Sequence, residues 1–215
     1  MILIFDASIE GFSVGVFHSN GAMLHSVTNS TPYSHTELLV PTIQDVLSAA
    51  SVKFQDLTQV VTTKGPGSFT GIRVGLATAA GLRTALNIPV TTVNTLSALV
   101  HSAIFHHTVN TPYIHAVIDT KCGEFYHQGF SYKDGEILVD ASPTSVPLTE
   151  LVSVAGQGII ITDPSSEAML ENILCIATPL TLEGVLQASK KESGSTDLQP
   201  LYVRSANITN PKIHV

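Results

Sequence analysis

The sequence VVTTKGPGSFTGIRVGLATAAGLRTAL, residues 60–86, is the stretch that decides the fold. Its β-branched start, Val60–Thr63, predicts a strand that runs into a glycine-rich turn. The apolar and small residues after the turn predict a helix over about 71–86, which ends ahead of Pro89 as helices usually do. A strand, a tight turn and a helix in this order indicate an α/β protein.

The segments before this stretch predict a meander of strands and then a helix. Strands are expected over 2–6, 13–17 and 22–27, and the last two are joined by Asn20-Gly21, a strong hairpin signal. Ser34–Glu37 fits the S-x-x-E capping box and predicts the start of a helix. The apolar positions of that helix form one face, and Pro41 predicts a bend or a loosened first turn. Its apolar face comprises Leu39, Ile43, Val46 and Ala50.

The segments after it predict a second unit that begins like the first. A strand at 89–93 and a helix at 95–105 are followed by a break in periodicity, where we divide the chain into halves at 1–107 and 108–215. Ile114–Asp119 then ends in an acid just as Ile2–Asp6 does, which suggests a duplicated unit. The second half loses its periodicity after residue 142. It retains a strand at 159–161, a helix at 179–188 and a loose tail at 209–215.

Composition excludes several classes of protein. Of the 215 residues, 44% are hydrophobic and only 13% are charged, so intrinsic disorder is excluded. Ten basic and seventeen acidic side chains give a net charge of −7, which opposes independent binding to nucleic acid. The apolar N-terminal stretch lacks the basic flank of a signal peptide, and no stretch predicts a membrane span. We expect a cytoplasmic protein that covers part of its surface with a partner.

The glycine-rich turn is the first candidate for chemistry. Backbone amides at Gly67, Ser68 and Thr70, ahead of a helix N-terminus, form a candidate phosphate site. Such turns are more often purely structural. Asp6 and Asp119 end the first strand of each half and could hold a magnesium ion in a cleft between the halves. We favour the alternative that each is a polar stop to a buried strand.

Metal and nucleophile patterns are not found. None of the nine histidines has H-x-x-x-H or H-E-x-x-H spacing, and the two cysteines form no C-x-x-C pair. Ser68 and Thr70 lack a histidine and an acid in any recognisable nucleophile pattern. We therefore predict neither a metal site nor a serine hydrolase.

Several segments together resemble the bacterial TsaB (YeaZ) family. They are Ile4–Ser8, Ser13–Val16, Ser34–Pro41, residues 65–82 (GPGSFTGIRVGLATAAGL), Asp119 with Gly123–Tyr126, and Leu201–Arg204. The eighteen consecutive residues at 65–82 are the most specific of these. The resemblance covers most of residues 1–100, and 142–196 contributes nothing to it.

The resemblance implies an actin-like (ASKHA) α/β fold of two ribonuclease-H-like halves, the second of them reduced. It implies a non-catalytic partner of the related catalytic subunit TsaD in the synthesis of threonylcarbamoyladenosine, the modification beside the anticodon of ANN-decoding tRNAs. TsaE joins this complex as an ATPase, and threonylcarbamoyl-adenylate is the donor. ATP and metal are then expected in the partner subunits and no cofactor in this one. Contact with tRNA is expected only through the complex.

One departure from the catalytic relative supports this interpretation. That relative carries Asn-His and a second His four residues later, and these imidazoles hold a metal. The matching run here is Asn94–Leu99, in which Thr95 and Leu99 stand where the imidazoles would be. Neither side chain supplies a nitrogen donor. The departure also argues against a metallopeptidase.

In the family, the partner is contacted mainly through two helices of the first half. The resemblance transfers this role to Leu38, Val40, Thr42 and Ile43 of the first helix and to Ile72, Leu76, Ala79 and Arg83 of the second. Small residues and few charges make such faces easy to desolvate. Some of these side chains must face the sheet instead, and the sequence does not say which. An isolated chain with such a face is expected to form homodimers.

Two other functions stay open at this point. An ATP-dependent phosphotransferase of the same fold would use Asp6, the glycine-rich turn and Asp119. A metallopeptidase is the least favoured, because the imidazoles are missing.

Overall fold

The computed structural model describes residues 1–31, 34–156, 158–170, 173–191 and 194–203. Arg204 and the predicted tail at 209–215 lie outside these ranges. The strands are β1 (Ile2–Asp6), β2 (Phe12–Phe17), β3 (Met23–Asn29), β4 (Gln59–Thr63), β5 (Val90–Val93), β6 (Tyr113–Asp119), β7 (Glu124–Lys133), β8 (Glu136–Val139), β9 (Thr144–Pro147), β10 (Ile159–Thr162) and β11 (Cys175–Ala177). The helices are α1 (His35–Ala49), α2 (Phe69–Leu86), α3 (Thr95–His106), α4 (Leu148–Ala155), α5 (Pro164–Glu167) and α6 (Leu182–Lys191). Within these ranges, no helix is long and apolar enough to cross a membrane.

The strands form two sheets that repeat one topology. The first sheet has the order β3-β2-β1-β4-β5, and the second has β8-β7-β6-β10-β11, with β9 also paired to β7. In each sheet the first three strands along the chain are antiparallel and the last two join in parallel; in the second sheet β9 comes between them and pairs antiparallel with β7. The predicted duplication is confirmed, and the repeated unit is the ribonuclease-H-like half of an actin-like fold.

The second half is reduced in its helices, and its sheet is complete. In the first half α1 has 15 residues and α2 has 18, whereas α4 has 8 and α5 has 4. The structure adds β9, α4, α5 and β11 to the strand and helix that the sequence predicted beyond residue 142. These elements are too short for a hydrophobic period to be recognised in the sequence.

The last helix of each half packs on the sheet of the other half. In α3, Leu96 and Leu99 pack with Ile114 of the second sheet. In α6, Val185 packs with Ile4 of the first sheet. The two helices also contact each other between the sheets. The predicted boundary at residues 107 and 108 stays a prediction, but this exchange of helices ties the two halves together.

The capping box predicted at the start of α1 is wrong. The Ser34 hydroxyl donates to the carbonyl oxygen of Thr31 at 2.7 Å, so it does not cap the helix. The amides of Glu37 and Leu38 donate instead to the backbone oxygen of Ser34. In α2 a side chain does cap the helix, because Ser68 Oγ accepts from the Gly71 amide at 3.2 Å.

Candidate functional site

Two glycines of the decisive stretch hold α2 against the end of β1. A Cβ atom at Gly67 would lie 2.0 Å from the Ser8 carbonyl oxygen, and one at Gly71 would lie 1.9 Å from that of Ala7. Gly67 also has a φ of 151°, which disfavours side chains. The amide of Ser68 donates to the Ser8 oxygen at 2.7 Å. The strip of small residues therefore allows a helix to approach a strand within the chain.

Asp6 is a structural acid in this arrangement. Its Oδ1 accepts from the Ser8 amide at 3.1 Å, from Ser8 Oγ at 2.5 Å and from Thr63 Oγ1 at 2.5 Å. The residue is 7% exposed. Burial raises the pKa of its carboxyl, and the hydrogen bonds offset only part of that effect. Asp6 thus ties the ends of β1 and β4 together, as a polar stop to a buried strand does.

A cleft of about 950 Å³ lies where the two halves meet. Its walls come from the turn after β1, the starts of α1 and α2, the turn after β6, the start of α5 and the segment at 201–203. Of the predicted phosphate-binding residues, Gly67 and Ser68 line the cleft, whereas Asp6 and Thr70 are not among its described lining residues. The Ser68 amide is already bonded to Ser8. The phosphate site predicted from Asp6, Ser68 and Thr70 is therefore corrected.

The residues do not fit a magnesium ion shared by Asp6 and Asp119. Asp119 lines the cleft, where its carboxylate accepts from the Lys121 amide at 2.8 Å and pairs with the Lys121 ammonium at 3.4 Å. Asp6 is buried away from it and bonded at Oδ1 by three donors. A shared ion would need both carboxylates to face one space.

The two positions of α3 that the resemblance compares with metal-ligating histidines hold Thr95 and Leu99. Asn94 caps α3, because its Oδ1 accepts from the Leu96 amide at 2.8 Å. Thr95 and Leu99 are completely buried. In the described part of the chain, no group of three or more His, Cys, Asp or Glu residues is arranged to hold a metal ion.

The outer face of α1 and α2 contains half of the predicted partner residues. Leu38 is 41% exposed and Val40 is 51% exposed; Arg83 is exposed and Thr42 half-buried. The other four, Ile43, Ile72, Leu76 and Ala79, are at most 4% exposed. Buried side chains offer little surface, so the assignment of Ile72, Leu76 and Ala79 to a partner surface is corrected, whereas Ile43 still borders the groove between α1 and α2. The assignment of Leu38, Val40, Thr42 and Arg83 stays a prediction.

Between the two helices lies an apolar groove of about 230 Å³. It is lined by Val40, Ile43, Phe54, Thr78, Gly81 and Leu82. A Cβ atom at Gly81 would meet nothing within 4 Å, so the surface there is open. The groove residues of α2, at 78, 81 and 82, are rotated around the helix axis from the small residues at 71, 75 and 79 that face the sheet. The sequence shows small residues on both the groove face and the sheet face of α2, so it did not reveal which face is buried.

Sequence reasoning missed two features of the cleft. His35 is buried and lines the cleft, although the sequence indicated no role for its side chain. At the cleft mouth, the Arg73 guanidinium lies 3.7 Å from the centre of the Phe69 ring and donates to the Tyr202 hydroxyl at 2.8 Å. The spacing of Phe69 and Arg73 by one helical turn was visible in the sequence, but the approach of Tyr202 was not.

The model of a known family matches most of the chain. Residues 27–160 match the family described as "TsaD: tRNA N6-adenosine threonylcarbamoyltransferase". The proteins named "tRNA threonylcarbamoyladenosine biosynthesis protein TsaB" from Buchnera aphidicola of Schizaphis graminum and from Escherichia coli are 37% and 30% identical over 103 and 125 residues. These matches cover 48% and 58% of this chain, and 48% and 52% of the relatives. The chain thus spans about half the length of the curated relatives it matches.

A solved structure agrees over nearly its whole length. A protein from Pseudomonas aeruginosa, described as similar to the peptidase YEAZ, superposes with a TM-score of 0.79 at 26% identity. The match covers 94% of this chain and 99% of the other. On the matched family model, these relatives and this superposition, the chain belongs to the TsaB (YeaZ) family.

Proposed function

We propose that this chain is a cytoplasmic, non-catalytic partner subunit of TsaD in the synthesis of threonylcarbamoyladenosine in ANN-decoding tRNAs. The curated relatives are named for that biosynthesis, and the matched family model describes the transferase. ATP and the metal ion belong to the partner subunits in this proposal, and TsaE completes the complex. The tRNA contacts the partners, in keeping with a net charge of −7 on this chain.

The observation that carries the proposal is the outer face of α1 and α2. Leu38 and Val40 expose apolar side chains beside a groove with an open floor at Gly81. Apolar side chains beside small residues let another helix pack closely after little desolvation. A surface of this kind binds a partner by packing alone and needs no catalytic residues.

The interior of the protein supports a non-catalytic role. Thr95 and Leu99 are packed in the core at the positions that correspond to the imidazoles of the catalytic relative. Asp6, which a phosphotransferase of this fold would need in the cleft, is committed to Ser8 and Thr63. A metallopeptidase would therefore lack its imidazole ligands, and a phosphotransferase would lack a free acid in the cleft.

Co-purification with a TsaD subunit tests the proposal. Wild type is expected to elute with TsaD in size-exclusion chromatography, and Val40→Glu is expected to weaken the complex about tenfold or more, because a carboxylate would be desolvated against apolar surface. Substitution of Leu76 is unsuitable, because that side chain is 4% exposed and a carboxylate there would disrupt the core.

Val152→Glu is the matched control. Val152 lies on α4 of the second half and is 58% exposed, close to the 51% of Val40. It should leave the complex intact. Equal loss in both variants, or no complex with wild type, would refute the proposed surface. The isolated chain should show no threonylcarbamoyl transfer, and activity without a partner would refute the non-catalytic role.

A further inference from the structure

Strand β3 forms an open edge of the first sheet. It pairs with β2, and no other described segment pairs with its outer side. Five of its seven residues are exposed, among them Met23 at 41%, Leu24 at 37% and Val27 at 36%. The strand contains no Lys, Arg, Asp, Glu or Pro, the residue types that usually protect a sheet edge from further pairing. Strand β3 therefore offers unpaired backbone groups beside apolar side chains.

The other sheet edges in the described part of the chain are covered, short or charged. The amide of Thr92 in β5 donates to the carbonyl oxygen of Ser195 at 2.7 Å, so a later segment pairs with that edge. Strand β11 has three residues, and β9 has four and ends in a proline. Strand β8 also has four, and its Glu136 pairs with Lys191 at 2.6 Å. Strand β3 is thus the longest of these edges and lacks each of these protections.

A second copy of the chain fits this edge, because the strand is complementary to itself in antiparallel pairing. The pairing with β2 skips Leu24, so the regular part of the edge is His25–Asn29. A two-fold axis at Val27, the middle residue, would place Val27 opposite its own copy and Ser26 opposite Thr28. Pairs of β-branched side chains and pairs of hydroxyl groups both stabilise antiparallel strands. No pair in this register sets two like charges against each other.

Antiparallel pairing also brings opposite charges towards each other at the strand ends. A Cβ atom at Gly21, shortly before β3, would lie 3.1 Å from Lys190 Nζ. At the other end of the strand, Asn29 lies against Gly11, which follows the exposed Glu10. The two-fold axis would bring the Lys190 end of each strand to the Glu10 end of the other. This attraction offsets part of the repulsion between two chains that each have a net charge of −7.

We propose that two copies of the chain associate through β3, by antiparallel pairing about Val27, and so join two five-stranded sheets into one continuous sheet. Hydrogen bonds between the main chains hold the two copies together, and the side chains of Ser26, Val27 and Thr28 set the register. Strand β3 contributes no residue to the groove between α1 and α2. The inference therefore does not rest on the partner role proposed for that face.

The molar mass of the full chain, measured by light scattering after size-exclusion chromatography at several concentrations, tests the proposal. Wild type should change from monomer to dimer as its concentration rises. Val27→Lys sets two ammonium groups opposite each other and should weaken the dimer about tenfold or more. Val27→Thr keeps a neutral, β-branched side chain and should retain the dimer. A wild type that stays monomeric, or a dimer of wild-type strength in Val27→Lys, would overturn the proposal.

A further variant separates this interface from the outer face of α1 and α2. Val40→Glu changes that face and should leave the β3 dimer intact. A dimer that is lost in Val40→Glu and kept in Val27→Lys would place the contact on the helices and refute the proposal.

Disulfide cross-linking tests the register. The exposed Cys122 is first replaced in Cys122→Ser, so that it forms no disulfide of its own. In that background Val27→Cys should give a disulfide-linked dimer under mild oxidation, because the two-fold axis sets the two sulfur atoms side by side. Leu138→Cys is the matched control, since Leu138 is 62% exposed on the edge strand β8, and it should stay monomeric. Equal cross-linking of both variants would contradict the register about Val27.

Discussion

Asp6 is a buried acid at the end of β1 that is held by hydrogen bonds from its neighbours. Three of its hydrogen bonds reach Oδ1, from Ser8 and Thr63, and the Ala7 amide also donates to the carboxyl. Burial raises the pKa of its carboxyl. The folded state therefore binds this proton more tightly than the unfolded state, so wild type loses stability as pH rises above about 4.

Asp6→Asn should stabilise the protein at neutral pH. The amide oxygen can replace Oδ1 and keep the three hydrogen bonds from Ser8 and Thr63, and the side chain no longer ionises in a buried position. The melting temperature of the variant should exceed that of wild type at pH 7, and the difference should shrink towards pH 4. Thermal unfolding followed by circular dichroism at several pH values measures this. A variant that is less stable than wild type across the whole range contradicts the structural role.

The sequence indicated which residues around the glycine-rich turn are important, but it did not reveal what they do. Asp6 and Gly67 were both recognised as special, because an acid after an apolar run and a glycine before a helix are local patterns. Their hydrogen bonds and close contacts are not local, since they join β1 to β4 and α2. His35 carried no signal, because only the fold reveals that its ring is buried and, within the part of the chain that the structure describes, unpaired.

Hydrophobic periodicity predicted where the helices lie, but it predicted the buried face correctly for only one of the two long helices. On α1, the buried stripe of Leu39, Ile43 and Val46 was predicted and found. On α2, Leu76 and Ala79 were assigned outward and lie inward. Apolar and small residues surround most of α2, so the period of 3.6 has little contrast there. Which face meets the sheet was decided by the fit of Gly71 against Ala7.

Strands β6 and β7 hold a pair of histidines that should make stability depend on pH. His115 Nδ1 lies 3.0 Å from His127 Nε2, and Asp140 interacts with His115. Desolvation, and secondarily His115, lowers the pKa of His127 to about 4. The unfolded chain binds this proton more tightly, so stability is full above about pH 6.5 and falls as pH decreases towards 4.

The expected loss from His127 over this range is on the order of 3 kcal/mol, from a pKa of about 4 against 6.5 unfolded. His127→Gln keeps a hydrogen-bonding group and should flatten this part of the pH profile. The exposed His18 provides the control, because His18→Gln should retain the wild-type slope. Urea unfolding between pH 7 and 4 measures the difference. Parallel profiles for all three proteins would refute the assignment.

For the whole molecule, the duplication was predictable and the exchange of helices was not. Ile2–Asp6 and Ile114–Asp119 are similar runs of sequence, and each begins a sheet of the same order. That α3 covers the second sheet and α6 the first is a property of the assembled fold. A sequence pattern describes the apolar face of a helix without naming the sheet that it covers.

At Gly184, helix α6 packs so closely on α3 that an added side chain should disturb the exchange of helices. A Cβ atom there would lie 2.0 Å from Ser102 Oγ and 2.7 Å from the Ala98 carbonyl oxygen, both on α3. Ser102 Oγ also accepts from the Thr181 amide at 3.0 Å, just before α6 begins. Helix propensity alone would make Gly184→Ala stabilising by about 1 kcal/mol. The contact with α3 should reverse the sign and give a net loss of about 1–3 kcal/mol.

Because α6 covers the first sheet and rests on α3 over the second, this loss should reach both halves. Hydrogen exchange of Gly184→Ala should accelerate at Ile4 in β1 and at Ala116 in β6 by similar factors. Gly81→Ala makes the same change in α2, where a Cβ atom meets nothing within 4 Å, and should stabilise the protein by up to about 1 kcal/mol. Faster exchange confined to β1 would mean that the halves open independently, which the packing of α3 on α6 argues against.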